Sequence, residues 1–139
     1  MTADVLRPAE AANITADVLR PAEAAHMTAQ VQARWTAVCR YDDIIPERGV
    51  AALVDDVAVA VFRTHDGVLH ALSNLDPFSS ASVLSRGIVG DRGGRPTVAS
   101  PIYKQVFELA TGVCLDDPDV AVPTYPVRVV DGIVEVGSP

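Results

Sequence analysis

From Trp35 onward the apolar residues fall in short runs separated by turn chemistry. Strict alternation is clear in Val127-Arg128-Val129 and in Val134-Glu135-Val136, as half-buried strands require. WTAVCRY is the first expected strand, and DDIIPERG, a Pro-containing link, ends it. VAALV, VAVAVFR and VLHALSN follow, then TVAS, QVFELA, YPVRVV and IVEVG. Asp55-Asp56 is expected to turn the second strand into the third, although acidic pairs are less favoured there than Asn-Gly. Asp66-Gly67 and Asp131-Gly132 carry stronger hairpin chemistry. Strands this short, this numerous and this evenly spaced predict an all-β domain, a small antiparallel sandwich or barrel. Helix is expected to be minor, with one turn possible in SSASVLSRG, Ser79 to Gly87. The least strand-like part, roughly Ser73 to Pro101, is dense in Ser, Gly, Arg and Asp, and a loop-rich insertion of this kind usually carries function.

The segment before Trp35 reads differently. TADVLRPAEAA occurs at residues 2–12 and again, unchanged, at 15–25. Natural solenoid repeats diverge and recur at periods of about 20–50 residues. Residues 1–26 are therefore expected to be a vector-derived leader with Met27 as the natural start, and 27–139 a single domain. His26 then belongs to the leader and is no candidate ligand.

Composition narrows the partners. The chain has 139 residues and a net charge of −7, which suits one domain with a real core and argues against a nucleic-acid partner. An acidic domain is compatible with a partner that offers a basic docking face. Lys104 is the only lysine. No segment approaches the roughly 18 apolar residues that span a bilayer, and no secretory signal precedes the two cysteines, Cys39 and Cys114. A cytoplasmic location with both thiols free is the expectation.

Candidate chemistry is sparse. A zinc or iron–sulfur site needs thiolate or imidazole ligands at short spacing. Outside the leader there are only His65, His70 and two isolated cysteines, and the plainer reading is a surface His and a strand His. Cys39 reads as a buried small hydrophobe; Cys114, between Thr-Gly and LDDPD, is expected to be more exposed. Ser79, Ser80, Ser82 and Ser85 cluster without a G-x-S-x-G elbow. Gly90 to Gly94, GDRGG, lacks a Walker lysine and a dinucleotide fingerprint and reads as a tight hairpin. Asp116, Asp117 and Asp119 lack EF-hand spacing and read as a solvated turn. No self-sufficient active site emerges.

Two segments together point to a family. NLDPFSSASVLSRG followed by SPIYKQVFELATG resembles the two cluster loops of the Rieske fold. There the first loop has the form Cys-x-His and the second Cys-Pro-x-His-Gly-x-x-Phe, running on to Thr-Gly. Phe107 and Thr111-Gly112 keep that frame. The four ligand positions hold other residues: Asn74 and Ser100 replace the cysteines, and Asp76 and Tyr103 replace the histidines. A [2Fe–2S] cluster of that type cannot form on them. With DPFS, VLSRGIVGD, ASPIYKQVFELATG and CLDD in order, the chain is similar to the small subunit of NAD(P)H-dependent assimilatory nitrite reductase. The likeness runs from about Trp35 to Val136.

The resemblance implies a Rieske-like antiparallel β-sandwich or barrel in about three sheets. It implies no cofactor in this chain, and a large-subunit partner carrying flavin, iron–sulfur cluster and sirohaem. That partner reduces nitrite to ammonium with six electrons from NADH or NADPH. Asp76 followed by Pro77 suits an Asx turn, and Tyr103 is expected to bury its ring while its hydroxyl meets a partner group. Arg86, Asp91, Arg92, Tyr103 and Lys104 are expected to form a docking rim for the large subunit. Two alternatives stay open. One is a stand-alone ligand-binding or regulatory domain in which Arg86, Arg92 and Arg95 hold a small anion. The other, a true [2Fe–2S] electron-transfer Rieske protein, is opposed by the missing ligands.

Overall fold

A computed structural model describes residues 34–138; the expected leader, residues 1–26, lies outside them. The chain forms β1 (Trp35–Arg40), β2 (Arg48–Val54), β3 (Val57–Arg63), β4 (Leu69–Ser73), β5 (Leu75–Asp76) and β6 (Ala81–Ser82). It continues through β7 (Ile88–Arg92), β8 (Arg95–Ala99), β9 (Val106–Glu108), β10 (Thr124–Tyr125), β11 (Val127–Val130) and β12 (Ile133–Gly137). Single 3-10 turns occur at Tyr41–Asp43 and Leu84–Arg86, the second inside the expected helical turn. All pairings are antiparallel, as expected.

Three main sheets are present. One has the order β1-β12-β11, one β10-β4-β3-β2 and one β7-β8-β9, while β5 and β6 form a small ribbon. The acidic pair Asp55-Asp56 does make a two-residue hairpin, with Val54 opposite Val57 and φ of 49° and 66°. Positive φ at both positions is the conformation that matches the right-handed twist of the strands. Asp131-Gly132 does the same between β11 and β12. Asp66-Gly67 sits in a longer link, since the ladder closes at Arg63 and Leu69. Thr64 ties that link together through its own hydroxyl contacts to Asp66 and to the Val68 carbonyl.

β3 explains why VAVAVFR shows no polar alternation. Val59 and Val61 face one core with Ile44, Val54, Ala71, Val134 and Val136. Ala60 and Phe62 face the other, with Leu72, Leu84, Val98, Phe107, Leu109, Cys114 and Val122. A strand buried on both sides must be apolar at every position. Cys114 is fully buried in the second core, not exposed. Its pairing through an isolated bridge with Phe107 draws it inward ahead of the acidic turn.

The Thr-Gly stop has a steric cause. Gly112 has φ 77°, and a Cβ there would stand 2.0 Å from the Val122 carbonyl oxygen. The Gly112 amide donates to Glu108 O, and the Val122 amide donates back to Gly112 O. Thr111 Oγ1 donates to Glu108 and accepts from the Val113 amide. At the far edge, the Arg128 guanidinium stacks 4.0 Å from the Trp35 ring while its Nε donates to Glu135 at 2.7 Å.

Because Phe62 is fully buried at the junction of β3 with the second core, Phe62→Ala is expected to cost about 3–5 kcal/mol. Urea unfolding should show a lower midpoint at an unchanged slope.

Candidate functional site

The two ligand-like loops lie side by side, and the buried polar side chains of the first are satisfied by backbone and by Ser100 of the second. Asp76 and Ser100 are fully buried and Asn74 nearly so. Ser100 Oγ donates to Asp76 Oδ2 at 2.5 Å, joining the loops in the interior. Asp76 Oδ1 accepts from the Phe78 amide at 2.8 Å, the Asx turn expected from Asp-Pro. Asn74 spans its own loop: Nδ2 donates to Ser82 O, and Oδ1 accepts from the Ser85 amide at 2.7 Å. Leu84 N donates to Asn74 O, which seats the 3-10 turn on the loop. Gly87 then lets the chain pass the second loop's strand, since a Cβ there would lie 2.4 Å from Ala99 O.

The second loop stands outward. Its base is closed by Ser100 N donating to Gln105 O, and Lys104 N donates to Ser100 O with Lys104 at φ 68°. Tyr103, expected to bury its ring, is 60% exposed. The interior position beneath the turn is occupied by the Ser100–Asp76 pair, so Pro101 to Lys104 project into solvent. Lys104 Nζ folds back onto Pro101 O at 2.9 Å.

The rest of the expected rim divides. Arg86 is exposed at the end of the 3-10 turn. Arg92 is held by Asp116 at 3.1 Å, and Asp116 also accepts from the Val106 amide at the base of the second loop. Those two contacts, the amide first, hold the Asp116 carboxyl below its ordinary range. The acidic run is thus a clamp at its first residue and not only a solvated turn. Asp91 lies elsewhere, along a cleft it shares with His65, Asp66 and His70. Arg95 faces Glu108 at 3.7 Å, so two of the three guanidinium groups in the anion-site alternative already have carboxylate partners.

Sequence reasoning missed a second, larger cleft of about 610 Å³. It is lined by the link into β2 and by the start of β7, with Arg86 on its wall. Its marks in the sequence are Ile45 and Ile88, apolar residues in turn-rich surroundings that prove to be 63% and 71% exposed.

A [2Fe–2S] cluster does not fit the loops. The four ligand positions offer an amide, a carboxyl, a hydroxyl and a phenol, and the first three are engaged with one another or with backbone. Cys39 is half-buried on β1, and burial, with Asp43 nearby, pushes its thiol up. Among the described residues no group of three His, Cys, Asp or Glu side chains could hold a metal ion.

These paired loops on three small antiparallel sheets define a Rieske-like domain, and the profile of the Rieske-like [2Fe-2S] domain matches residues 34–137. The nitrite reductase (NADH) small subunit of Escherichia coli (strain K12) is 46% identical over 105 residues, 75% of this chain and 97% of that one. A crystal structure from Mycobacterium tuberculosis, assigned as an NADH-dependent nitrite reductase small subunit, is 57% identical with a TM-score of 0.74. That match covers 77% of this chain and 96% of the other. The nitrite reductase [NAD(P)H] large subunit of Klebsiella oxytoca is 45% identical over 104 residues, 75% of this chain but 11% of that one. The chain belongs to the family of nitrite reductase small subunits.

Two measurements test this site. Ser100→Ala and Asp76→Ala should each destabilise the fold by about 1–3 kcal/mol, and the double variant should lose less than their sum. His70 supplies a pH signature: burial holds its imidazole below the ordinary 6.5, against a weaker opposing pull from Asp66. As pH falls through that ordinary value the unfolded chain binds the proton first, so stability declines until folded His70 titrates as well. Unfolding midpoints at several pH values should show this fall in the wild type and a flatter profile in His70→Gln.

Proposed function

We propose that the chain is a non-catalytic small subunit of an NAD(P)H-dependent nitrite reductase in the cytoplasm. The observation that carries this reading is the Klebsiella oxytoca protein, in which a segment homologous to most of this chain forms about a tenth of a large subunit. A domain fused to the large chain in one organism and separate in another acts beside that chain in both. The large subunit supplies the flavin, iron–sulfur cluster, sirohaem and nicotinamide chemistry that takes nitrite to ammonium. This chain supplies a folded surface and no redox group, in keeping with Asn74, Asp76 and Ser100 being engaged with backbone or with each other across the loops. Among the described residues no helix is long and apolar enough to cross a membrane.

The docking rim of this proposal is the outward second loop with its neighbours. Tyr103 presents an exposed ring with a hydroxyl, the kind of side chain that anchors interfaces. Lys104 stands next to it in the loop, Arg86 offers an exposed charge at the end of the 3-10 turn, and Arg92 is pre-positioned by Asp116. Asp91, on the His65 and His70 cleft, falls outside this surface.

Titration of the purified large subunit with this chain should give a complex. Tyr103→Ala and Arg86→Ala are each expected to weaken it about tenfold or more, the loss of roughly 1.4 kcal/mol or more. Unchanged affinity in both variants would remove the rim from the proposal.

A further inference from the structure

Three exposed arginines in this acidic chain each find a carboxylate: Arg92 with Asp116, Arg95 with Glu108 and Arg128 with Glu135. Arg48 and Arg86 make no ion pair among the described residues, although carboxylates outnumber cations in the chain. Both line the cleft of about 610 Å³. Asp43 and Glu47 line it too, yet neither pairs with them. Glu47 is turned to the His65 amide, which donates to it at 2.9 Å. Arg40, also unpaired, lies at the end of β1 outside the cleft.

The lips of the same cleft are apolar. Ile45 is 63% and Ile88 71% exposed, each on its own side. The walls are two sheet edges. β2 ends the sheet β10-β4-β3-β2 and β7 ends the sheet β7-β8-β9. In a two-residue hairpin the pair flanking the turn exchanges hydrogen bonds, and pairs alternate from there. Val54 opposite Val57 and Arg92 opposite Arg95 set that phase. Gly49 on β2 and Val89 on β7 therefore direct their backbone groups away from their own sheets, and both line the cleft. Unsatisfied strand edges recruit extended chain, with backbone bonds giving affinity and alternate side chains giving specificity.

We infer that this cleft seats an extended segment of the large subunit, with apolar side chains against Ile45 and Ile88 and a carboxylate between Arg48 and Arg86. The inference rests on the association proposed above and adds a partner chemistry to it. The cleft shares Arg86 with the docking rim, so one partner reaches both. Arg48, Ile45 and Ile88 lie outside the rim, which allows the two contacts to be tested apart.

The test is hydrogen exchange on the full chain, alone and saturated with the large subunit, together with affinities of Arg48→Glu and Ile88→Asp. Both substitutions fall at exposed side chains, and unchanged thermal midpoints would show that the variants are folded. The expected result is slowed exchange at the outward amides of Gly49 and Val89 in the complex, with each variant binding at least tenfold more weakly. Tyr103→Ala, at saturation, should keep that protection. Wild-type affinity in both folded variants, or no protection at the cleft, would overturn the inference while leaving the association intact. Protection of the cleft by nitrite or inorganic phosphate alone would also overturn it, in favour of a small-anion site. Absence of any complex with the wild type would overturn the association as well.

Discussion

The fold depends on one strand having no solvent side. β3 sends Val59 and Val61 into one core and Ala60 and Phe62 into the other. Neither core is complete without it, and the two share no other strand that contributes so much to both. The β1-β12-β11 sheet closes one face of β3, and Leu84, Val98 and Phe107 close the other. The loops that resemble cluster ligands are carried on the second side. Their position is therefore fixed by hydrophobic burial and needs no metal to hold it.

That independence lets the loops keep their paired arrangement without ligands. In a cluster-bearing relative the thiolates and imidazoles cross-link the loops through iron. Here the Ser100 hydroxyl and the Asp76 carboxyl cross-link them directly, while Asn74 replaces a ligand with a bridge to Ser82 and Ser85. The exchange keeps every buried polar group of the first loop partnered, which an apolar interior requires. The second loop keeps its Pro turn but exposes its crown, where Tyr103 has no interior role.

Much of this was legible in the sequence, for local reasons. The acidic hairpin at Asp55-Asp56, the glycine turns and the Asx turn at Asp76 are all set by residues adjacent in the chain. The loop motifs, read as a set, pointed to the family even though no ligand remained. What the sequence concealed depends on distant partners. Cys114 looked exposed beside LDDPD, yet it bridges to Phe107 and packs inside. Tyr103 looked buried by its place in the motif, yet the space below it belongs to a contact spanning 24 positions. The cleft at Arg48 and Ile88 joins segments about forty residues apart, and no local pattern announces it.

The second loop also carries the chain's solitary lysine. Lys104 is the only lysine of the 139 residues, and its Nζ rests on the Pro101 carbonyl at the crown of the turn. Apart from the chain's first residue, acylating reagents therefore have a single aliphatic amine to modify. A fluorophore or spin label attached through that amine would sit at the proposed contact without an engineered cysteine. The scarcity of lysine, unremarkable as composition, turns the loop into a chemical address.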